Sequence, residues 1–316
     1  MTDTLSDVFR ALRLSGAIFF SVDASDPWIA TTPDGAALAP HLVPDAEHVI
    51  GYHVITSGTC WAGLVGEPRV RLEAGDVIVF PHGDSNILSS TPNMDADSDI
   101  SRYRGLRELP LPIALSIQGG GNEQAKFICG FLGCDARPFN PLLSSMPRII
   151  HWKGAGDTGL KSIVELALAE SNAPKAGSNT VLSRLAEVLF VEIVRRYLTT
   201  LSPEAAGWFA GLRDESVGRA LQKIHERPAH DWSLEELARE AGLSRSMLAA
   251  RFLHFVGTPP IQYLGQWRIQ LAASLLRTSQ SSLAEIAEQV GYGSEAALSR
   301  AFKRSVGVPP AHYRRG

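Results

Sequence analysis

Residues Gly291–Pro310 read GYGSEAALSRAFKRSVGVPP, and about fifty positions earlier Ala241–Pro260 read AGLSRSMLAARFLHFVGTPP. The likeness continues on both sides. Ser233–Ala238 (SLEELA) aligns with Ser282–Ala287 (SLAEIA), and Gly242-Leu243 with Gly291-Tyr292. After one inserted residue, Gly293, Ser244 aligns with Ser294, Leu248 with Leu298 and Phe252 with Phe302. Gly257, Pro259-Pro260 and Tyr263 then align with Gly307, Pro309-Pro310 and Tyr313. Agreement in residue type and spacing over so long a stretch marks a duplicated structural unit.

Each copy spells helix, glycine turn, helix. Ser233 or Ser282 offers a hydroxyl to the free amides of a helix start, and the acid three positions on (Glu236 or Glu285) predicts a capping box. Leu234, Leu237 and Ala238, or Leu283, Ile286 and Ala287, form its buried face. Gly242 or Gly291 ends the helix where left-handed backbone is needed. Ser244 or Ser294 caps the next helix, in which Leu248, Phe252 and Phe255, or Leu298 and Phe302, are expected to point inward. The outward faces are then small and polar. Arg245, Ser246, Ala249 and Ala250, with Leu253, line the first, and Glu295, Ala296, Ser299, Arg300, Lys303 and Arg304 the second.

Such faces enter a major groove without steric penalty. Arg300 is placed to pair with guanine, while Lys303 and Arg304 sit where phosphates pass. A stiff amphipathic stretch, Ile261–Arg277 (IQYLGQWRIQLAASLLR), joins the copies. Two reading helices held about one helical turn apart, roughly 34 Å, would meet successive grooves on one side of a duplex. Double-stranded DNA is therefore the predicted partner. Charge agrees in sign: from Arg213 to Gly316 there are 14 Lys+Arg against 10 Asp+Glu, in a chain whose net charge is -3.

The rest of the 316 residues reads differently. Short apolar runs between turn signals predict strands at Ala17–Val22, Val49–Ile55, Cys60–Val65, Arg69–Leu72, Val77–Pro81 and Phe127–Leu132. The polar stretch Thr91–Asp99 (TPNMDADSD) reads as a mobile loop, and Gly119–Asn122 (GGGN) as a loop without the lysine of a phosphate-binding motif. Helical periodicity returns at Leu160–Ser171 and Val181–Leu198, broken by Asn172–Ser178, which predicts an antiparallel pair. That pair either covers the sheet or joins two chains. Leu201–Gly211 reads as a linker. No apolar run approaches the roughly 18 residues of a membrane span, the N-terminus lacks a signal pattern, and three cysteines make no disulfide framework. A cytoplasmic chain is expected.

The tail resembles the DNA-binding domain of the AraC/XylS family of bacterial transcription regulators. The stretches that carry this are SLEELAREAGLSRSMLAARF, WRIQLAASLL and VGYGSEAALSRAFKRSVGVPPAHYRR. The front half resembles the cupin-like sensor domain of one branch of that family, through GYHVITSGTCWAGL, RLEAGDVIVFPHGDSNIL and FICGFLGCDARPFNPLLSSMP. Together they imply an α+β chain of two domains: a cupin-like β-barrel over 1–152, a helical hairpin with linker over 153–212, and an all-α double helix-turn-helix over 213–316. A small-molecule inducer, a second copy of the chain and RNA polymerase are the further partners implied.

Two departures stand out. Family members often carry arginine where this chain has Ala250, so base reading is expected to shift towards Arg300 or towards backbone contacts. A metal-binding cupin has histidine where this chain has Asn86, and a His-x-His pair where it has only His53. No cofactor and no complete metal cage are expected. Candidate sensor residues are the pocket aromatics Trp28, Trp61 and Phe80 with His53, His82 and Asn86, and the cysteines Cys60, Cys129 and Cys134, which read as a redox switch or, with His53 or His82, a thiolate metal site. Of these, Cys129 reads as core and Cys134 as an exposed thiol near a turn, with Arg137 or His82 as a neighbouring cation. No catalytic constellation is present, so an enzyme is not predicted. The competing reading, a cupin-type metal enzyme with an appended helical module, lacks its metal donors.

Overall fold

The computed structural model describes residues 3–44, 46–109, 111–135, 138–154, 158–202 and 205–315. The chain opens with helix α1 (Thr4–Ala11), then β1 (Ser15–Ser25), β2 (Ile29–Thr32), α2 (Gly35–Leu42), β3 (His48–Ser57), β4 (Thr59–Leu64), β5 (Val70–Glu73), β6 (Val77–Phe80) and β7 (Asn86–Ser89). After two short 3-10 turns come β8 (Ile113–Gln118), β9 (Gln124–Cys134), α3 (Pro141–Ser145) and β10 (Ile150–Trp152). Helices follow: α4 (Thr158–Asn172), α5 (Ser178–Thr200), α6 (Trp208–Arg213), α7 (Glu215–Glu226), α8 (Leu234–Ala241), α9 (Arg245–Val256), α10 (Pro260–Thr278), α11 (Leu283–Val290), α12 (Glu295–Val306) and α13 (Pro310–Tyr313).

The β-rich unit comprises residues 14–135 and 146–199. One sheet has the order β10-β6-β3-β9-β1-β8 and the other β2-β7-β4-β5. Their inner faces share one apolar core that includes Phe20, Val22, Ala24, Cys60, Ala62, Leu64, Phe80, Leu88, Phe127 and Phe131. This is the expected cupin-like barrel in two-sheet form. The central strands β3 and β9 are buried on both faces, which explains their continuous apolar runs. On the outer face, Tyr52, Val54 and Ile128 meet Ile163, Val164 and Ala167 of α4 and Leu185, Ala186 and Leu189 of α5. The hairpin thus covers the sheet. Gly130 has a steric reason: a Cβ there would lie 2.0 Å from the Tyr52 ring.

The helical unit gathers residues 1–13, 136–145 and 200–316. Contiguous boundaries at 152 and 212 do not capture this, because two distant stretches return to it. Buried Gln270 on α10 holds both: its amide donates to the Ala11 carbonyl (3.3 Å), and its oxygen accepts from the Phe139 amide (3.0 Å). The linker expected over Leu201–Gly211 also ends early. Trp208 and Phe209 are buried in α6, and the Trp208 indole donates to the Tyr263 hydroxyl at 2.9 Å. Burial of two large aromatic rings, not local composition, makes this stretch structural.

The duplication is visible as packing. Phe252 meets Tyr263 edge-on at 5.7 Å, and Phe302 meets Tyr313 edge-on at 5.3 Å. Gly242 and Gly291 adopt φ of 72° and 85°, the left-handed stop each helix needs. The capping boxes differ. Ser282 and Glu285 form both halves of theirs. In the first copy Ser233 caps, but His230 takes the Glu236 carboxylate at 2.8 Å.

Candidate functional site

Two features invite a function, one in each unit. In the helical unit, α9 and α12 are each capped by the expected serine: Ser244 accepts from the Met247 amide and Ser294 from the Ala297 amide. Leu248 and Phe252 of α9, and Leu298 and Phe302 of α12, are buried. Phe255, expected inward, is only half-buried. The opposite faces are open. Arg245, Ser246, Ala250 and Leu253 are exposed on α9, and Glu295, Ala296, Arg300, Lys303 and Arg304 on α12, with Ala249 and Ser299 at the half-buried edge.

One cation of α9 is committed elsewhere. The Arg251 Nε donates to the Asp214 carboxylate at 3.0 and 3.1 Å, and the same carboxylate caps α7 through the Ser216 and Val217 amides. This pair ties the first outward helix to α7. Beneath α9, the Tyr263 hydroxyl bridges Trp208 and His225, with His225 Nε2 at 2.8 Å. Burial pulls the His225 pKa down to about 3, so the imidazole is neutral.

In the β-rich unit the barrel is not filled. A cavity of about 430 Å³ lies against Phe20 and Val22 of β1, Phe127, Cys129 and Phe131 of β9, His53 of β3, Leu88 of β7, and Leu115 and Ile117 of β8. The pairing register explains the clustering: Phe20 lies opposite Cys129, Val22 opposite Phe127 and Leu115, and His53 opposite Cys129. Period-two alternation then puts one layer of side chains on the same wall. Phe20, Tyr103 and Phe131 stand edge-on to one another at 6.1–6.2 Å.

The cupin-motif positions sit at this wall. The arrangement that satisfies both ring nitrogens has His53 Nε2–H donating to Asn86 Oδ1 (3.0 Å) and Nδ1 accepting from the Cys129 thiol (2.9 Å). Burial supports these neutral forms, drawing the His53 pKa down to about 4 and pushing the Cys129 thiol up. Among the described residues, no group of three or more His, Cys, Asp or Glu side chains could hold a metal ion. At the cupin-motif positions His53 is instead hydrogen-bonded to Asn86 and Cys129.

Of the sensor candidates read from sequence, His53 and Cys129 line the cavity. Trp28 instead stacks on Phe127 at 5.2 Å inside the core, and Phe80 meets His53 edge-on at 5.9 Å behind the wall. Cys60 and Asn86 are buried, Trp61 is half-buried and His82 is exposed, with Nε2 at 3.0 Å from the Met146 carbonyl. Cys134 is corrected. It is buried as the last residue of β9, paired with His48, because that strand runs past the expected turn. Burial pushes its thiol up, and the Asp135 and Glu47 carboxylates add to this. Arg137 lies outside the described residues. Sequence reading missed Arg102, Tyr103 and Leu106. The three-residue step of Ile100, Tyr103 and Leu106 was the available signal, matching 3-10 turns that bring these side chains to the core.

Comparison with known proteins now bears on both units. Residues 3–199 match the family model described as Cupin, and residues 237–316 the one described as Helix-turn-helix domain. A putative AraC-like transcription regulator of Streptomyces lividans is 33% identical over 99% of this chain and 98% of its own length. The chain belongs to the AraC family of transcription regulators. The regulator AlkR of Acinetobacter baylyi is 28% identical over 99% of both chains. Among solved structures, the DNA-binding domain of AdpA in complex with a target DNA is 32% identical, covering 32% of this chain and 92% of that one, with a TM-score of 0.31. In this AraC-family chain, α8 with α9 and α11 with α12 form two helix–glycine turn–helix units, and residues 237–316 match the helix-turn-helix model. The relatives place it among DNA-binding regulators rather than enzymes. No helix among the described residues is long and apolar enough to cross a membrane.

Proposed function

We propose that this AraC-family regulator senses a small, uncharged, largely apolar molecule in its barrel cavity, and that occupancy changes how α9 and α12 engage double-stranded DNA. The observation that carries the reading is the cavity itself. Protein interiors are ordinarily close-packed, and about 430 Å³ suits a small ligand. The one charged residue on its lining among the described residues, Arg102, has a side chain 76% exposed and an aspartate neighbour, Asp99, at 3.8 Å. No buried cation waits there for a carboxylate.

A redox signal is less favoured. Cys60 is pushed up to about 12 by burial, and Cys129 and Cys134 are pushed up as well, so little reactive thiolate forms. A cytoplasmic homodimer that contacts RNA polymerase completes the proposal. Its dimer part is supported by Leu166, Val181 and Val188, which stay exposed on α4 and α5 although the hairpin already covers the sheet.

The test is a thermal-shift screen of apolar compounds on the full chain and on Ile117→Trp, which fills the cavity. A ligand at a hundred times its Kd stabilises the native state by about 2.7 kcal/mol. The unsubstituted chain should shift and Ile117→Trp should not, while both still bind DNA. An equal shift in both would place the ligand elsewhere.

A further inference from the structure

The two outward helices occupy duplicate positions, yet their chemistry is opposite. Counting along each helix from its serine cap, Arg245 faces Glu295 in the alignment, Met247 faces Ala297, Ala250 faces Arg300, Leu253 faces Lys303 and His254 faces Arg304. The second helix thus offers a carboxylate at its start and three cations along its length. The first offers Arg245 and Ser246 at its start and exposed His254 near its end, with the apolar Met247, Ala250 and Leu253 between them.

That apolar surface is unusual for its surroundings. Met247 is 57% and Leu253 49% exposed. With Ile261 they are the exposed large apolar side chains of the helical unit among the described residues. Ala250 lies opposite the buried Leu248 and Phe252, at the middle of the outward face, and Leu253 and Met247 flank it on either side. Arg251, the remaining cation of this helix, is held by Asp214 and turned from the task.

We infer that α9 reads thymine C5-methyl groups through Met247, Ala250 and Leu253, while α12 reads guanine and cytosine edges through Arg300 and Glu295. This rests on the DNA-reading role of both helices and adds a division of labour between them. The surface continues the DNA interface, which fixes its occupant as the major groove. There the thymine methyl is the apolar feature that distinguishes one base pair from another. The Ala, Leu and Met side chains can bury it and themselves offer no donor to a purine edge; the donors of this helix, Arg245 and Ser246 at its start and His254 near its end, flank them. Arg300 and Glu295 have complementary donor and acceptor roles, towards guanine O6 and N7 and towards cytosine N4.

The experiment starts from the duplex that the full chain selects from a random pool. Each thymine of that duplex is replaced singly by deoxyuridine, which removes the methyl and leaves base pairing intact, and affinity is measured. Arg300→Ala assigns the segment under α12 by the position whose preference it relaxes. In the other segment, one or more thymines should be selected, and each deoxyuridine should weaken binding about fourfold, the worth of one buried methyl. In the α12 segment deoxyuridine should change nothing. Met247→Ala with Leu253→Ala should abolish the deoxyuridine effect while the guanine preference persists. The inference is overturned if the α9 segment carries no thymine, or if deoxyuridine is tolerated there by the unsubstituted chain. That second result requires no variant to fold. Selection of no sequence at all would instead overturn the DNA-reading assignment beneath it.

Discussion

Phe302→Ala should cost the second helix-turn-helix about 3–5 kcal/mol, the usual range for emptying a buried phenylalanine site. The ring is fully buried among Ile286, Val290 and Leu298, and it meets Tyr313 edge-on at 5.3 Å. These residues form a cluster with Ile269, Ala272, Ala273 and Leu276 of α10. A void left there has few ways to collapse, since the small Ala273 and Ala287 of the same cluster cannot reach into it and α13 is one turn long. The loss is comparable with the whole stability of many domains. Hydrogen exchange should therefore show α11 and α12 losing protection, with α7 to α9 far less affected. Uniform loss through the helical unit would mean that the two copies unfold as one body and lack separate cores.

Arg300→Ala should remove about 1–3 kcal/mol of discrimination at one base pair, roughly 5- to 150-fold in relative affinity. Arg300 is exposed on the outward face of α12 and free to meet a base. It stands five residues, about one and a half turns, beyond Glu295, whose carboxylate is favourable at the helix start but would repel phosphate, so under the proposed role the two would bias this helix towards base edges. Lys303→Ala should instead weaken all duplexes alike and reduce the salt dependence of binding by about one counterion. If Arg300→Ala behaved in that same uniform way, Arg300 would be a phosphate contact.

The tail was legible because every local signal agreed. Serine caps, left-handed glycines and four-residue apolar steps all specified the same helices, twice. The exceptions have neighbours as their cause: Glu236 leaves its capping box for His230, and Trp208 turns an apparent linker into core. In the barrel, β3 and β9 announced themselves because burial on both faces writes unbroken apolar runs. The strands β2 (IATT), β7 (NILS), β8 (IALSIQ) and β10 (IHW) did not, being short or partly polar. The cavity was the least legible feature. A phenylalanine facing a void and one facing a packed core look alike in sequence, so Trp28 and Phe80 were as plausible a lining as Phe20 and Phe131. The even choice for the hairpin had the same origin, since one wide apolar stripe serves a sheet face or a partner.

The central claim is that α9 and α12 read one duplex together from one side, and the selection of bound sequences from a random pool addresses it most directly. The account predicts two enriched segments whose centres lie about 10–10.5 base pairs apart, one helical turn, for each bound chain. A single enriched segment, or two segments separated by about half a turn and so on opposite sides of the duplex, would contradict it.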